Sequence, residues 1–264
     1  MENFRKLIGD ILLNKHPLLS CVDKRVERSM VFQRLAISHK SKYCCFRIPK
    51  CANSTIVLNL VYYDPNLNYY NANKSNDKPV SEQFKKKFDN TSFKTLIMLK
   101  FPDDYYLFTF VRNPYVRILS AYLDKIEDKQ KRKQGVSQYE FVRKFILKNS
   151  SEKKLTFDGF VSYLEKGGLY KNAHWLPQLS ILPVKKEKLS FIGKVENIKN
   201  DLPKVIDTLF GNGTFEEAKI KKEGRTSSVN LVEKYYTKEL AERVYKLYKK
   251  DFEAFDYSKK LPRK

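Results

Sequence analysis

Two short stretches of the chain carry cationic, hydroxyl and amide side chains at spacings suited to holding an anion. The first is Arg47-Ile48-Pro49-Lys50-Cys51-Ala52-Asn53-Ser54-Thr55, between a predicted strand and a predicted helix. Backbone N–H groups at a helix start, together with the helix dipole, attract negative charge. Lys50 adds a cation there, and each charge-assisted hydrogen bond to an oxyanion contributes about 1.5–3 kcal/mol. An ordinary strand-to-helix turn with a surface lysine would use the same residue types, so both interpretations stay open for this stretch alone.

The second stretch runs from Phe110 to Tyr122 with the sequence FVRNPYVRILSAY. Arg112 follows an apolar strand, at the edge where open α/β sheets bind their ligands. Ser120 comes eight residues later, about 12 Å further along a helix. Arg112 can bind a phosphate through two parallel hydrogen bonds while Ser120 donates its hydroxyl. The alternative is that Arg112 pairs with a carboxylate and that Ser120 is a small packing residue.

The elements that must position these residues are predicted from hydrophobic periodicity and from Gly and Pro positions. The predicted strands are Tyr43–Ile48, Tyr105–Val111 and Leu189–Val195. The predicted helices are Phe4–Leu13, Ser54–Tyr62, Tyr115–Lys125, Ser137–Leu147, Thr156–Glu165 and Glu233–Tyr248. Strands that alternate with helices predict an α/β fold with a parallel sheet. The polar stretch Asp64–Asn90 is predicted to be a long excursion that shapes the substrate pocket.

Composition narrows the partners and the kinds of site. The chain has 264 residues and a formal net charge of +22, which favours polyanionic partners. A lysine-rich solvated surface explains the same charge, because the lysines are spread along the chain. The four cysteines contain no Cys-x-x-Cys pair, and only three histidines are present. We therefore expect neither a disulfide framework nor a structural zinc site.

Five motifs together resemble the PAPS-dependent sulfotransferases, where PAPS is 3′-phosphoadenosine 5′-phosphosulfate. RIPKCANST is similar to their 5′-phosphosulfate-binding motif, and FVRNPYVRILSAYLDK to their 3′-phosphate-binding motif. The second motif looks most like the carbohydrate group that includes chondroitin and dermatan 4-O-sulfotransferases. NAHWLPQ, FIGKVENIKNDL and YKKDFEAFDY follow in the order that this family shows. The resemblance covers residues 43–257.

The resemblance implies a P-loop-NTPase-like three-layer fold, with a central parallel sheet flanked by helices. The length of the chain favours one domain over residues 1–264 rather than two small ones, with residues 1–40 as an N-terminal helical extension. PAPS would be the co-substrate and a carbohydrate hydroxyl the acceptor, with no metal. Lys50 would contact the bridging and sulfuryl oxygens. The other implied nucleotide contacts are Arg47, Pro49, Cys51, Ala52, Asn53, Ser54 and Thr55 at the 5′ end, and Arg112 and Ser120 at the 3′-phosphate. The basic stretch Lys221–Ser227, with Arg225, could also approach the 3′-phosphate from a loop, although a solvated basic turn would have the same composition.

The base that accepts the proton of the acceptor hydroxyl is less clearly marked. Many carbohydrate sulfotransferases have a His or Glu between the first two motifs, whereas this chain has no His from Tyr43 to Ala173. His174 is the predicted base, because a neutral imidazole accepts a proton near pH 7. It could equally position substrate or support Trp175 in the core. Glu196 could orient a lysine or substrate, although a structural role is the simpler interpretation.

Two other functions stay open on the sequence alone. One is a non-catalytic polyanion- or nucleotide-binding protein, and the other is an ATP-dependent P-loop-like phosphotransferase, although no Gly-x-x-x-x-Gly-Lys-Ser loop is present. We expect no specific nucleic-acid partner. No stretch approaches the roughly 18 apolar residues that span a bilayer. The sequence therefore predicts a cytoplasmic protein, with a bacterial or viral origin in keeping, or a Golgi-lumenal one if an anchor has been removed.

Overall fold

A computed structural model describes residues 15–67, 98, 100–128, 139–150, 152–216 and 228–262. The chain forms two compact units, the first of Met1–Val111 with Ser180–Arg225 and the second of Arg112–Leu179 with Thr226–Lys264. The described strands are β1 (Leu35–Ser38), β2 (Tyr43–Phe46), β3 (Tyr106–Val111) and β4 (Phe191–Lys194). The described α-helices are α1 (Arg28–Phe32), α2 (Asn53–Tyr63), α3 (Pro114–Tyr122), α4 (Glu140–Lys148), α5 (Phe157–Tyr163), α6 (Ile198–Phe210), α7 (Val232–Tyr235) and α8 (Lys238–Ala254).

The four strands form one sheet in the order β1-β2-β3-β4, within the first unit. β2 and β4 both pair with β3 in parallel, whereas β1 pairs with β2 antiparallel. The predicted α/β class is confirmed, with a mostly parallel sheet flanked by helices. β1 was not predicted. Its antiparallel direction follows from the short connection to β2, because a parallel pair needs a crossover of a dozen or more residues.

One face of the sheet packs against α2 and α6 to form the core of the first unit. α2 buries six consecutive residues, Ile56–Val61, so it is buried on all sides over this stretch and is not an amphipathic surface helix. α6 buries Leu202, Val205 and Ile206, which share one helical face. Gly193 in β4 leaves room for an aromatic neighbour, since a Cβ there would lie 2.4 Å from the ring of Phe110.

The second unit has a core of its own, rich in aromatic residues. α3 runs through this core with all nine residues buried. Asn113 caps α3 by accepting the Tyr115 N–H at 3.0 Å, and Pro114 occupies the first turn, as predicted. Trp175 is 1% exposed and donates its indole N–H to the Gly168 carbonyl at 3.0 Å, so it is a core residue.

The remaining predicted elements are confirmed with shifted ends, except for the last helix. That helix is split into α7 and α8, and Thr237 caps α8 by accepting the Leu240 N–H at 3.1 Å. The helix α6 was missed. The predicted Phe4–Leu13 helix and most of the Asp64–Asn90 excursion lie outside the described residues. Among the helices that the structure describes, none is long and apolar enough to cross a membrane. The expectation of a single domain stays a prediction.

Candidate active site

The first candidate half-site is the loop from Arg47 to Ala52, which joins β2 to α2 in the first unit. β2 and β3 are parallel neighbours, so this loop begins at the carboxyl edge of the sheet. The Thr109 hydroxyl of β3 donates to the Phe46 carbonyl at 2.7 Å and fixes the end of β2. The loop therefore leaves a rigid strand end at the edge where α/β sheets bind ligands.

The backbone of this loop has a conformation suited to an anion. Within residues 49–54, φ is positive only at Lys50 (69°) and Ala52 (55°). Left-handed residues beside a helix start can turn N–H groups towards an anion. The Cys51 N–H is not one of these groups, because it donates to the Ile48 carbonyl. Neither Lys50 nor Ala52 is glycine, and a left-handed conformation costs an L-residue about 1–2 kcal/mol. Strain of this kind is typical of functional loops.

The start of α2 continues this anion-binding character. Its N-cap is Ala52, whose side chain makes no capping hydrogen bond. Asn53, Ser54 and Thr55 form the first turn and are partly exposed, as is Lys50. Main-chain N–H groups and polar side chains thus occur together where the helix dipole is positive. This arrangement suits the binding of an anion.

Three other residues of the loop that were predicted to contact the nucleotide are buried and stabilise the loop. Arg47 is 6% exposed and donates from its guanidinium to the Gln33 carbonyl at 2.7 Å, which ties β2 to the chain before β1. Pro49 and Cys51 are buried. The Cys51 N–H donates to the Ile48 carbonyl at 3.2 Å and closes the turn that contains Lys50. Their side chains shape the loop, and the Arg47 N–H also has a partner of its own, the Arg34 carbonyl at 2.9 Å. The nucleotide contacts assigned to these three residues stay predictions.

The cysteines are free thiols, and three of the four are buried. Cys44 and Cys45 lie in β2 on opposite faces, and Cys45 packs in the core beside α2. Burial raises the pKa of Cys45 to about 12 and that of Cys44 well above its usual value. Both strand thiols are therefore protonated at neutral pH and are not nucleophiles.

The second candidate half-site is Arg112 in the second unit. Its N–H donates to the Gln178 side-chain oxygen at 2.9 Å, and the Gln178 amide nitrogen donates to its carbonyl at 2.9 Å. At the other end of the side chain, the Arg112 guanidinium donates to the Ser228 hydroxyl at 3.0 Å. Arg112 is thus held at its backbone and at its tip, and it is partly exposed.

The other residues predicted for the 3′-phosphate differ from Arg112. Ser120 is 0% exposed on α3, so the structure supports it less directly than Arg112. Arg225, with the rest of Lys221–Ser227, lies outside the described residues. Ser228, the next residue along the chain, is the one that contacts Arg112. The assignments of Ser120 and Arg225 stay predictions.

The segment Asn172–Leu179 has no long helix or strand, and buried side chains satisfy its backbone instead. Arg117 is 1% exposed and donates to the Leu176 carbonyl at 2.7 Å. Tyr248 donates to the Trp175 carbonyl at 2.5 Å. Asp251 is 0% exposed and accepts the main-chain N–H groups of Gln178 at 2.7 Å and Leu179 at 2.9 Å. Burial raises the pKa of Asp251, against the opposing effects of these two N–H groups and of the Arg117 charge.

His174 lies in the same segment and is partly exposed. Its N–H donates to the Asn172 side-chain oxygen at 3.0 Å, and its ring meets that of Tyr139 edge-on at 6.4 Å. The role of His174 as a base, and the alternative that it positions substrate or supports Trp175, both stay predictions. Glu196 is exposed in the turn that follows β4.

Sequence reasoning missed Gln178, Ser228 and Asp251 as partners of the site. Gln178 and Asp251 stand in the motifs NAHWLPQ and YKKDFEAFDY, and those motifs are the only signal that marked them. Ser228 follows a basic stretch and carried no signal at all. Within the described part of the chain, no group of three or more His, Cys, Asp or Glu residues could hold a metal ion.

Sequence comparisons with known proteins identify the family of the chain. The carbohydrate sulfotransferase 14 of Danio rerio is 30% identical over 111 residues, which cover 39% of this chain and 29% of that protein. The matched part is thus less than a third of that relative's length. No solved structure gives a significant match. The profile of the sulfotransferase family matches residues 33–258, a span that includes both candidate half-sites and every motif from RIPKCANST onward. The chain therefore belongs to the sulfotransferase family.

Proposed function

We propose that the chain transfers the sulfuryl group of PAPS to a hydroxyl group of a carbohydrate. The observation that carries this proposal is the Arg47–Ala52 loop at the carboxyl edge of β2, where Lys50 and Ala52 have positive φ without being glycine and α2 begins directly afterwards. The name of the Danio rerio relative supports a carbohydrate as acceptor. The net charge of +22 suits a donor that carries a phosphosulfate and a phosphate.

In the proposed reaction, the acceptor oxygen forms a bond to sulfur as the bond from sulfur to the bridging phosphate oxygen breaks. The acceptor proton passes to a base, for which we propose His174. The products are the sulfated acceptor and adenosine 3′,5′-bisphosphate. Negative charge builds up on the departing oxygen, and the Lys50 ammonium stabilises it together with the N–H groups of the loop. Arg112 binds the 3′-phosphate, which takes no part in bond making.

The first test is transfer of labelled sulfate from PAPS to a panel of glycans, lipids and small alcohols. Label should appear in at least one glycan and at a higher rate than in the alcohols. No transfer to any acceptor by a protein that binds adenosine 3′,5′-bisphosphate would leave only the non-catalytic binding function.

Lys50→Ala tests the role of the ammonium group. Removing one preorganised donor to a developing oxyanion lowers kcat by about 10²–10³-fold. Lys42 offers a matched control, because it also has a positive φ (51°) and lies in the same unit, before rather than after β2. Its ammonium is exposed and pairs with Asp104 at 2.8 Å. Lys42→Ala should keep near-normal turnover, whereas equal losses in the two variants would exclude a specific role for Lys50.

A further inference from the structure

Arg112 is connected to an unusual partner at its backbone. A single side chain, that of Gln178, satisfies both the N–H and the carbonyl of Arg112, each at 2.9 Å. A primary amide can do this because it presents one acceptor and one donor side by side, as a neighbouring strand would. Arg112 follows the last residue of β3, so the amide takes over as partner where the strand ends.

Gln178 is itself held in place by buried groups. It is 0% exposed, and its main-chain N–H donates to Asp251 of α8 at 2.7 Å. The next N–H, that of Leu179, donates to the other carboxylate oxygen at 2.9 Å. Two hydrogen bonds from consecutive residues to one buried carboxylate fix the direction in which the Gln178 side chain leaves the backbone.

The tip of Arg112 is held as well. Its guanidinium donates to the Ser228 hydroxyl at 3.0 Å, and Ser228 is 0% exposed. An arginine side chain has about 2 kcal/mol of rotamer entropy, part of which is lost on binding if the side chain is mobile beforehand. A side chain anchored at both ends has lost that freedom before the ligand arrives.

We propose that Gln178 is a positioning residue that holds the Arg112 backbone, and so aims the guanidinium at the 3′-phosphate of the nucleotide. This inference rests on the proposed function, because it takes Arg112 to be the 3′-phosphate ligand. It assigns Gln178 no contact with the nucleotide. The Gln178 amide acts only through Arg112, and Asp251 acts only through Gln178.

The test compares two nucleotides that differ by the 3′-phosphate alone. The affinities of the full chain for adenosine 3′,5′-bisphosphate and adenosine 5′-phosphate are measured by calorimetry, and their ratio is the 3′-phosphate preference. Gln178→Met keeps the length of the side chain and removes both hydrogen bonds. It should lower the preference by about 10–100-fold, the scale of effect of a misplaced positioning group. Affinity for adenosine 5′-phosphate should stay within about twofold of wild type, a difference of about 0.4 kcal/mol.

A second variant and a matched control separate positioning from general damage. Gln178→Glu keeps an acceptor for the Arg112 N–H, so it should retain more of the preference than Gln178→Met, and it serves as the test variant should Gln178→Met not fold. Tyr122→Phe removes one hydrogen bond in the same unit, from the Tyr122 hydroxyl to the Leu155 carbonyl at 3.1 Å. This control should leave the preference unchanged.

The outcomes distinguish a failure of the proposed function from a failure of the positioning role of Gln178. A wild-type protein that binds both nucleotides equally would overturn the proposed function itself. A wild type that prefers the bisphosphate, with a Gln178 variant that keeps this preference, would overturn the positioning role alone. In an Arg112→Ala background, Gln178→Met should have no further effect on the preference. An additive loss there would also contradict action through Arg112.

Discussion

Ala52→Gly probes the strain that the structure places at the start of α2. Ala52 has φ 55° and ψ 28°, a left-handed conformation that costs alanine about 1–2 kcal/mol and glycine almost nothing. Glycine also makes the unfolded chain more flexible, which costs about 0.4–1 kcal/mol. The difference predicts a variant that is as stable as wild type or more stable by up to about 1.6 kcal/mol, even though the replacement lies at a helix end.

The matched control is Ala241→Gly in α8, where the backbone is helical and the methyl group is buried (8% exposed). Lost helix propensity costs about 1 kcal/mol and the lost methyl burial about 0.8 kcal/mol, so this variant should be destabilised by about 2 kcal/mol. The free energy of unfolding of both variants would come from urea denaturation, with unchanged m-values as a check. If Ala52→Gly loses as much stability as Ala241→Gly, the left-handed assignment at residue 52 is wrong.

Three further changes test other parts of the molecule. Arg117→Met should lower the free energy of unfolding, measured by urea denaturation, by about 3–5 kcal/mol. The reason is that it removes a buried cation near the Asp251 carboxylate and leaves carbonyl groups unpaired. A loss below about 1 kcal/mol would contradict this role. Burial raises the pKa of Asp251, so the folded state binds a proton more readily than the unfolded state, and stability should fall as pH rises from about 4 through the folded pKa. Asp251→Asn should flatten that part of the stability–pH curve, and an unchanged slope would exclude Asp251 as its source. Arg243→Met should cost only about 0.5–1 kcal/mol, and less in 1 M salt, because its partners Asp158 and Glu165 are largely exposed; a loss that salt does not reduce would argue against an ion-pair effect.

The elements that the sequence predicted well are those with strong local patterns. The apolar run of β3 and the apolar helix α2 are recognisable because a buried element must be hydrophobic on every side. β1 was missed because its four residues, three of them apolar, are too few to show a period. α6 was missed because its first turns lie within the motif FIGKVENIKNDL and because Pro203, inside the helix, interrupts the helical pattern.

In the candidate site, too, only the features with a local sequence pattern were predictable. Lys50 and Arg112 were predictable because their residue types and flanking elements are local features of the sequence. Their geometry was not, since the left-handed conformation of Ala52 depends on its surroundings and no glycine marks it. The partners of Arg112 were beyond local reasoning too. Gln178 is 66 residues away in the sequence and Ser228 is 116 residues away, so only folding brings them to it.

The distribution of the cysteines provides a natural probe of unfolding. A thiol reagent added to the folded protein should modify exposed Cys21 quickly, whereas Cys44, Cys45 and Cys51 should react only as the chain opens. Cys51 lies between the two residues with positive φ in the Arg47–Ala52 loop, while the other two protected thiols belong to β2. The order in which these thiols become labelled would therefore show whether the loop opens before the sheet does, and no engineered label would be needed to find out.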